Sequence, residues 1–249
     1  MEIIYIMALR QMKLFYRSRP RVMGSIAQPT LFLLALGLGF GPVFEQAGGV
    51  DYVQYLTPGI VGMSLLFGSM MNGMSLIWDK QFGFLKETLV APVSRIKILV
   101  GRCLGGAITS ILQGIIVFTL SYLLMGYQVS HLASIPLFIS VMLLIALLFS
   151  LLGTVIAAKV DDMEAFPTVT NFLILPMFFL SGAIFPISNL PSFIITITRF
   201  NPMTYGVNLL RGAMDFQLTP ASVGDVSLLI ILLLLLLFVG NSVFQKIET

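Results

Sequence analysis

Histidine, cysteine and tryptophan occur once each, as His131, Cys103 and Trp78, and only 10% of the 249 residues are charged. A single cysteine permits no intramolecular disulfide, and one histidine cannot seed a Cys/His metal cluster. No glycine is followed directly by Lys and then Ser or Thr, so the Walker-type phosphate loop is absent and ATP is not bound by that route. The acidic residues are read as lying in termini and connections. That leaves no buried carboxylate of the kind proton- or sodium-coupled transport uses. His131 has no cysteine or carboxylate near it in sequence, so a Ser/Lys pair is the one hydrolytic arrangement left open. A secretory leader is also not expected. Residues 1–21 mix Ile3, Ile4, Met7, Leu9 and Phe15 with five cations, and a full-length apolar run follows directly.

What is abundant is apolar surface: 57% of residues are hydrophobic and the mean hydropathy is +0.99. Such a chain is a membrane protein. A bilayer core of ~30 Å needs about 20 apolar residues per helical crossing. Runs at 22–44, 53–77, 98–125, 133–158, 165–187 and 225–244 predict six spans in one all-α domain over 1–249. The connections leave no room for a soluble catalytic domain.

The charges orient this layout. Arg10, Lys13, Arg17, Arg19 and Arg21 precede span one; Lys80, Lys86, Arg95, Lys97 and Arg102 lie between or at the edges of spans two and three; Lys159 and Lys246 fall on the same side. Only Arg199 and Arg211 fall on the other. Enrichment of cations in cytoplasmic loops then predicts that both termini are cytoplasmic. In the first 21 residues Arg10, Lys13 and Arg17 lie within roughly 60° of one another at about 100° per residue, opposite Ile4, Ala8, Met12 and Phe15. This pattern predicts an interfacial helix whose basic stripe faces water and anionic lipid. The other reading is a basic flank that only sets topology.

Two connections depart from plain spans. From Trp78 to Arg95 the chain is too polar to cross and too apolar for a solvated linker. Phe82, Leu85 and Leu89 share one helical face, Pro92 disfavours helix at Ala91, and Ser94 is placed to cap span three. Such an element either docks a soluble partner or packs under the bundle. After span five, Phe193 to Phe200 is too short to cross and is bounded by Pro191 and Pro202, which predicts a short hairpin on the outer face. Pro167 and Pro176 predict a kinked or flexible fifth span. Small residues four apart, Gly101 with Gly105, Gly106 with Ser110 and Gly114, and Ser64 with Gly68, allow close helix approach, for internal packing rather than a dimer seam.

Gly83, Leu85, Glu87, Leu89, Pro92, Ser94 and Gly101 together resemble the cytoplasmic loop of type-2 ABC exporter permeases. Leu180-Ser181-Gly182, Phe185-Pro186, Leu190-Pro191, Asn201-Pro202, Thr204-Tyr205 and Arg211 resemble the same family's outer segment. The chain departs from the family in one place, where Lys80-Gln81-Phe82 stands before Gly83 in place of an Arg-Glu pair.

The resemblance implies that the chain is not an enzyme but the membrane subunit of an exporter, holding no cofactor of its own. ATP and Mg would sit on a separate pair of cytoplasmic ABC ATPase subunits. A second permease copy, identical or related, would complete the pore in the plasma or inner membrane, with lipids and no nucleic acid as the remaining partners. Asp79 to Ala91 would be the gate and coupling element, with Phe82, Gly83, Leu85, Glu87, Leu89 and Pro92 at the ATPase contact. For Glu87 an intrahelical or surface ion pair is the competing reading. Pro186, Pro191, Asn201, Pro202, Tyr205 and Arg211 would belong to outer re-entrant helices. Phe67, Met70, Met71, Met74, Met177 and Phe178 are candidate pathway walls, since Met and Phe make an adaptable apolar surface; each can equally be a core or lipid-facing residue. The cargo expected is a hydrophobic or amphipathic small molecule, drug-like or lipid. A lipid-linked polysaccharide is the alternative, and a channel or scaffold without ATP coupling is the rival of another class.

Overall fold

A computed structural model describes residues 2–46, 51–90, 93–129, 131–187, 191–215 and 219–245. Among them the regular structure is entirely helical: α1 Glu2–Arg17, α2 Arg19–Gln46, α3 Tyr52–Met71, α4 Met74–Gln81, α5 Phe84–Val90, α6 Arg95–Met125, α7 Ser134–Lys159, α8 Ala165–Phe179, α9 Ser192–Thr198, α10 Pro202–Met214 and α11 Pro220–Gln245.

Five stretches are long and apolar enough to cross a bilayer: α2, α3 continued by α4, α6, α7 and α11. The expected span at 165–187 is helical only to Phe179, roughly 22 Å at 1.5 Å per residue, short of the ~30 Å hydrocarbon core. Its prolines do not set this limit. Pro167 lies in the first turn, where its missing N–H bonds nothing, and the chain runs on through Pro176. The helix ends instead in a turn at 180–185, where Gly182 adopts φ +78°, a conformation that glycine reaches without steric cost.

The core is built around α3, which is buried along most of its length between α2, α6, α7 and α10. Small residues set the approach distances. A Cβ at Gly59 would collide with the Ala183 carbonyl, one at Gly73 with the Gly153 carbonyl, and one at Gly153 would stand 2.5 Å from the Met70 carbonyl. The backbones of α3 and α7 therefore touch where α3 gives way to α4. Asn72 seals that break by donating to the Gly68 and Gly106 carbonyls and to Thr109 Oγ1.

Three sequence expectations are corrected here. The second span does not stop before the polar connection, because α4 carries the helical arm through Asp79 and Lys80. Asp79 is only 6% exposed, so it is no loop carboxylate. Asp225 likewise lies inside α11. Ser94 occupies the position before α6 with extended backbone, but its side chain makes no capping hydrogen bond.

Candidate functional site

The site at the end of the bundle where α1 begins and α11 ends is assembled by glycine. A Cβ at Gly101 would meet Met7 Cβ at 2.7 Å and the Ile4 carbonyl at 2.8 Å; at Gly105 it would meet Gln11 Cβ at 2.6 Å and the Ala8 carbonyl at 2.7 Å. Helix α1 therefore lies directly on the α6 backbone, as small residues permit. That contact turns Arg10 inward, toward α4. Its guanidinium grips Asp79 in a bidentate pair, Nη2 to Oδ1 at 2.5 Å and Nη1 to Oδ2 at 2.8 Å. Arg102, 4% exposed on α6, donates from Nη1 to Asp79 Oδ2 at 2.5 Å and from Nη2 to Ser75 Oγ at 3.2 Å.

One buried carboxylate thus joins α1, α4 and α6, in the geometry that makes charge-assisted hydrogen bonds strong. Arg10 also stacks over Phe84 of α5, 4.1 Å from the ring centre.

Neighbouring residues extend this junction. Lys80 Nζ donates to the Ala158 carbonyl at 2.7 Å, to the Val160 carbonyl at 3.4 Å and to Asp161 at 3.0 Å. A cation here satisfies carbonyls left open at the end of α7. The contact with Asp161, whose side chain is 90% exposed, adds little. Gln81 donates to the Asp161 carbonyl, and Arg95 donates to the Phe244 and Gln245 carbonyls at the end of α11.

At the opposite end Arg211 organises the turn that follows α8. Its Nη2 donates to the Gly182 carbonyl at 2.7 Å and to those of Ala183 and Tyr55, and the guanidinium lies 3.8 Å from the Tyr55 ring centre. Burial lowers its pKa, opposed by Tyr55 and by Asp215. Tyr55 Oη donates to the Gly182 carbonyl and Tyr52 Oη to that of Ile184. Asn201 caps α10 by accepting from the Met203 N–H, with Pro202 in the first turn, while its Nδ2 donates to the Met177 carbonyl. Tyr205 Oη closes the α9–α10 turn on the Arg199 carbonyl.

A family model described as ABC-2 type transporter matches residues 2–214, from α1 through α10. The chain belongs to the ABC-2 type transporter family. It is 30% identical over 186 residues to the inner membrane transport permease YadH of Escherichia coli K12, covering 73% of this chain and 70% of that one. Nodulation protein J of Rhizobium leguminosarum bv. viciae is 27% identical over 195 residues, 78% of this chain and 74% of the relative. The putative transport permease ycf38 of Cyanophora paradoxa is 29% identical over 242 residues, 91% and 82% of the two chains.

Within this ABC-2 chain the residues expected at the coupling element divide by exposure. Phe82 is 78% exposed, Gly83 makes the α4–α5 turn at φ +77°, and Leu85 is buried at 3%. Glu87 is exposed and makes no salt bridge among the described residues. It rims an apolar groove of about 290 Å3 between α1, α5 and α6. The side chain of Leu89, and Pro92 entirely, lie outside the described residues.

Of the candidate wall residues, Phe67, Met71 and Met74 meet at one cavity between α2, α3 and α6. Met70 and Phe178 are fully buried in the core instead, and Met177 is half-buried. The outer residues converge more closely: Asn201 and Arg211 both hold the end of α8, Pro202 and Tyr205 shape α10, and Pro186 and Pro191 are exposed.

Sequence reasoning missed the Arg10–Asp79–Arg102 cluster. Its only sequence signal was an acidic residue at the junction of a span and a basic connection.

Proposed function

We propose that the chain is the membrane subunit of an ATP-driven exporter, in which a separate pair of ABC ATPase chains docks on the 79–91 element and two permease copies form the path. The Arg10–Asp79–Arg102 junction carries this reading. It ties the element to α1 and α6, while Phe82, Glu87 and Val90 face outward and free. An ATPase that pulls on α5 therefore pulls on span three and on the interfacial helix together. Both termini and this element stand in the cytoplasm; α8 with the turn after it makes the sixth crossing, and the α9–α10 hairpin is re-entrant from outside.

The cargo is a hydrophobic or amphipathic small molecule, supported by Phe67, Met71 and Met74 on one cavity wall. Ser25, Gln28 and Asn72 on the same cavity favour, as the second reading, a cargo with a polar glycan head.

Purification of the tagged chain from membranes tests the assignment. Co-elution of an ABC ATPase whose hydrolysis in liposomes is stimulated by cargo supports it. A chain that elutes without any ATPase is a channel or scaffold, and the proposal fails.

A further inference from the structure

Where α1 gives way to α2, a cavity of about 150 Å3 lies against α4, walled in part by Arg10, Leu14, Ser18, Arg21, Trp78 and Phe82. Sites for drug-sized molecules begin at roughly 300 Å3, so this one has room for a headgroup and not for a whole small molecule.

Its charge does not balance. Asp79 is the one acid on its walls, and it already accepts from Arg10 and from Arg102. Arg21 adds a third guanidinium, 5.6 Å from the Trp78 ring centre, with no salt bridge or hydrogen bond among the described residues. Three guanidinium groups against one carboxylate leave a surplus of two positive charges. Ser18 bonds to described residues through its backbone alone, so its hydroxyl is a further donor without an acceptor.

The level of the pocket follows from α2. Its candidate span begins at Arg19, which puts Arg21 in the first turn, at the depth of the lipid headgroups. Trp78 is 46% exposed, and tryptophan favours the same depth. Leu14 and Phe82 are exposed apolar residues on the same walls. A soluble phosphate has no use for such a rim, whereas the glycerol and first acyl carbons of a lipid do. A choline headgroup would set its own cation against the surplus of guanidinium charge.

We infer that this pocket holds the phosphate of an anionic phospholipid, with Arg21 and Ser18 donating to it and the start of the acyl chains lying on Leu14 and Phe82. The site goes beyond the exporter reading and needs only that α2 cross the bilayer; it serves a channel or scaffold equally.

Trp78 is the only tryptophan of the chain, so its fluorescence reports on this pocket alone. The test is quenching of Trp78 in the purified full chain, in detergent micelles doped with phosphatidylglycerol or phosphatidylcholine brominated near the headgroup end of the acyl chains. Each signal is referred to the same lipid without bromine, which removes any direct effect of a substitution on the ring. Phosphatidylglycerol is expected to quench at a mole fraction about 5-fold lower than phosphatidylcholine, the contribution of one cation facing anionic lipid. Arg21→Gln should bring the two lipids together, Arg21→Lys should keep the preference, and Arg19→Gln, at an exposed neighbour, should leave it in place. Equal quenching by both lipids in the unaltered chain overturns the inference. Equal loss in Arg19→Gln and Arg21→Gln overturns it in favour of diffuse surface charge. Inorganic phosphate and chloride at equal ionic strength are expected to act alike; relief of quenching by phosphate alone overturns the lipid in favour of a soluble anion. The readout involves no ATPase, so failure to recover one sinks the coupling reading without deciding this one.

Discussion

Asp79 accepts three hydrogen bonds from two guanidinium groups at 6% exposure, and its removal leaves Arg102 buried without a counter-charge. Breaking a buried pair from one side costs about 3–5 kcal/mol, whereas replacing both partners with apolar residues is often neutral. Thermal denaturation in detergent should therefore show a large loss for Asp79→Ala and substantial recovery for Asp79→Leu combined with Arg102→Met. Equal loss in the single and double variants would mean that the charges do not act as a pair. Gly83 makes a smaller, separate prediction. Nothing stands within 4 Å of a Cβ there, so Gly83→Ala meets only the left-handed backbone penalty of about 1–2 kcal/mol. The same melting assay should place it well below Asp79→Ala.

Arg10 shows what a sequence hides at this scale. Helical spacing grouped it with Lys13 and Arg17 as a solvated basic stripe, yet it is the member that turns inward. Periodicity sorts residues around one helix; it is silent about a counter-charge 69 positions away in the chain.

At the scale of elements, the contact of α1 with α6 depends on Gly101 and Gly105. A leucine at Gly101 must displace Met7 and the Ile4 carbonyl, an overpacking that costs about 1–3 kcal/mol. The expected consequence is that α1 lifts away and Arg10 loses Asp79, so limited trypsin digestion should cut faster at Lys13 and Arg17 in Gly101→Leu. Unchanged cleavage would show that α1 is held by the membrane surface rather than by α6. The four-residue spacing of these glycines was plain in the sequence and signalled close packing. Which helix would pack there was not, because the spacing describes a groove and not its occupant. The opposite-end hairpin was more legible. Pro191, Asn201 and Pro202 punctuate α9 and α10, as capping and proline placement require. What they could not reveal is that Arg211 and Asn201 seize the carbonyls at the end of α8 and so fix where that helix stops.

For the molecule as a whole, five of the six apolar runs became helices of nearly the expected bounds, because about 20 consecutive apolar residues leave a chain in a bilayer few alternatives. The run at 165–187 is helical only to Phe179, because hydropathy does not register the turn at Gly182. The resulting body has a basic end, where α1, α4, α5 and α6 are joined through Asp79, and an opposite end, where Arg211 locks the α8 turn against α3. The central claim is that force applied to the 79–91 element passes through Asp79 and Arg10 into α1 and the α6 backbone on which α1 lies.

Cargo-stimulated ATP hydrolysis by the reconstituted complex, compared between the natural chain and Arg10→Gln, tests it most directly. Arg10 holds the element from behind, through Asp79 and the Phe84 ring, so the variant should still recover the ATPase and retain basal hydrolysis while losing most of its stimulation. Full stimulation in Arg10→Gln would contradict the account.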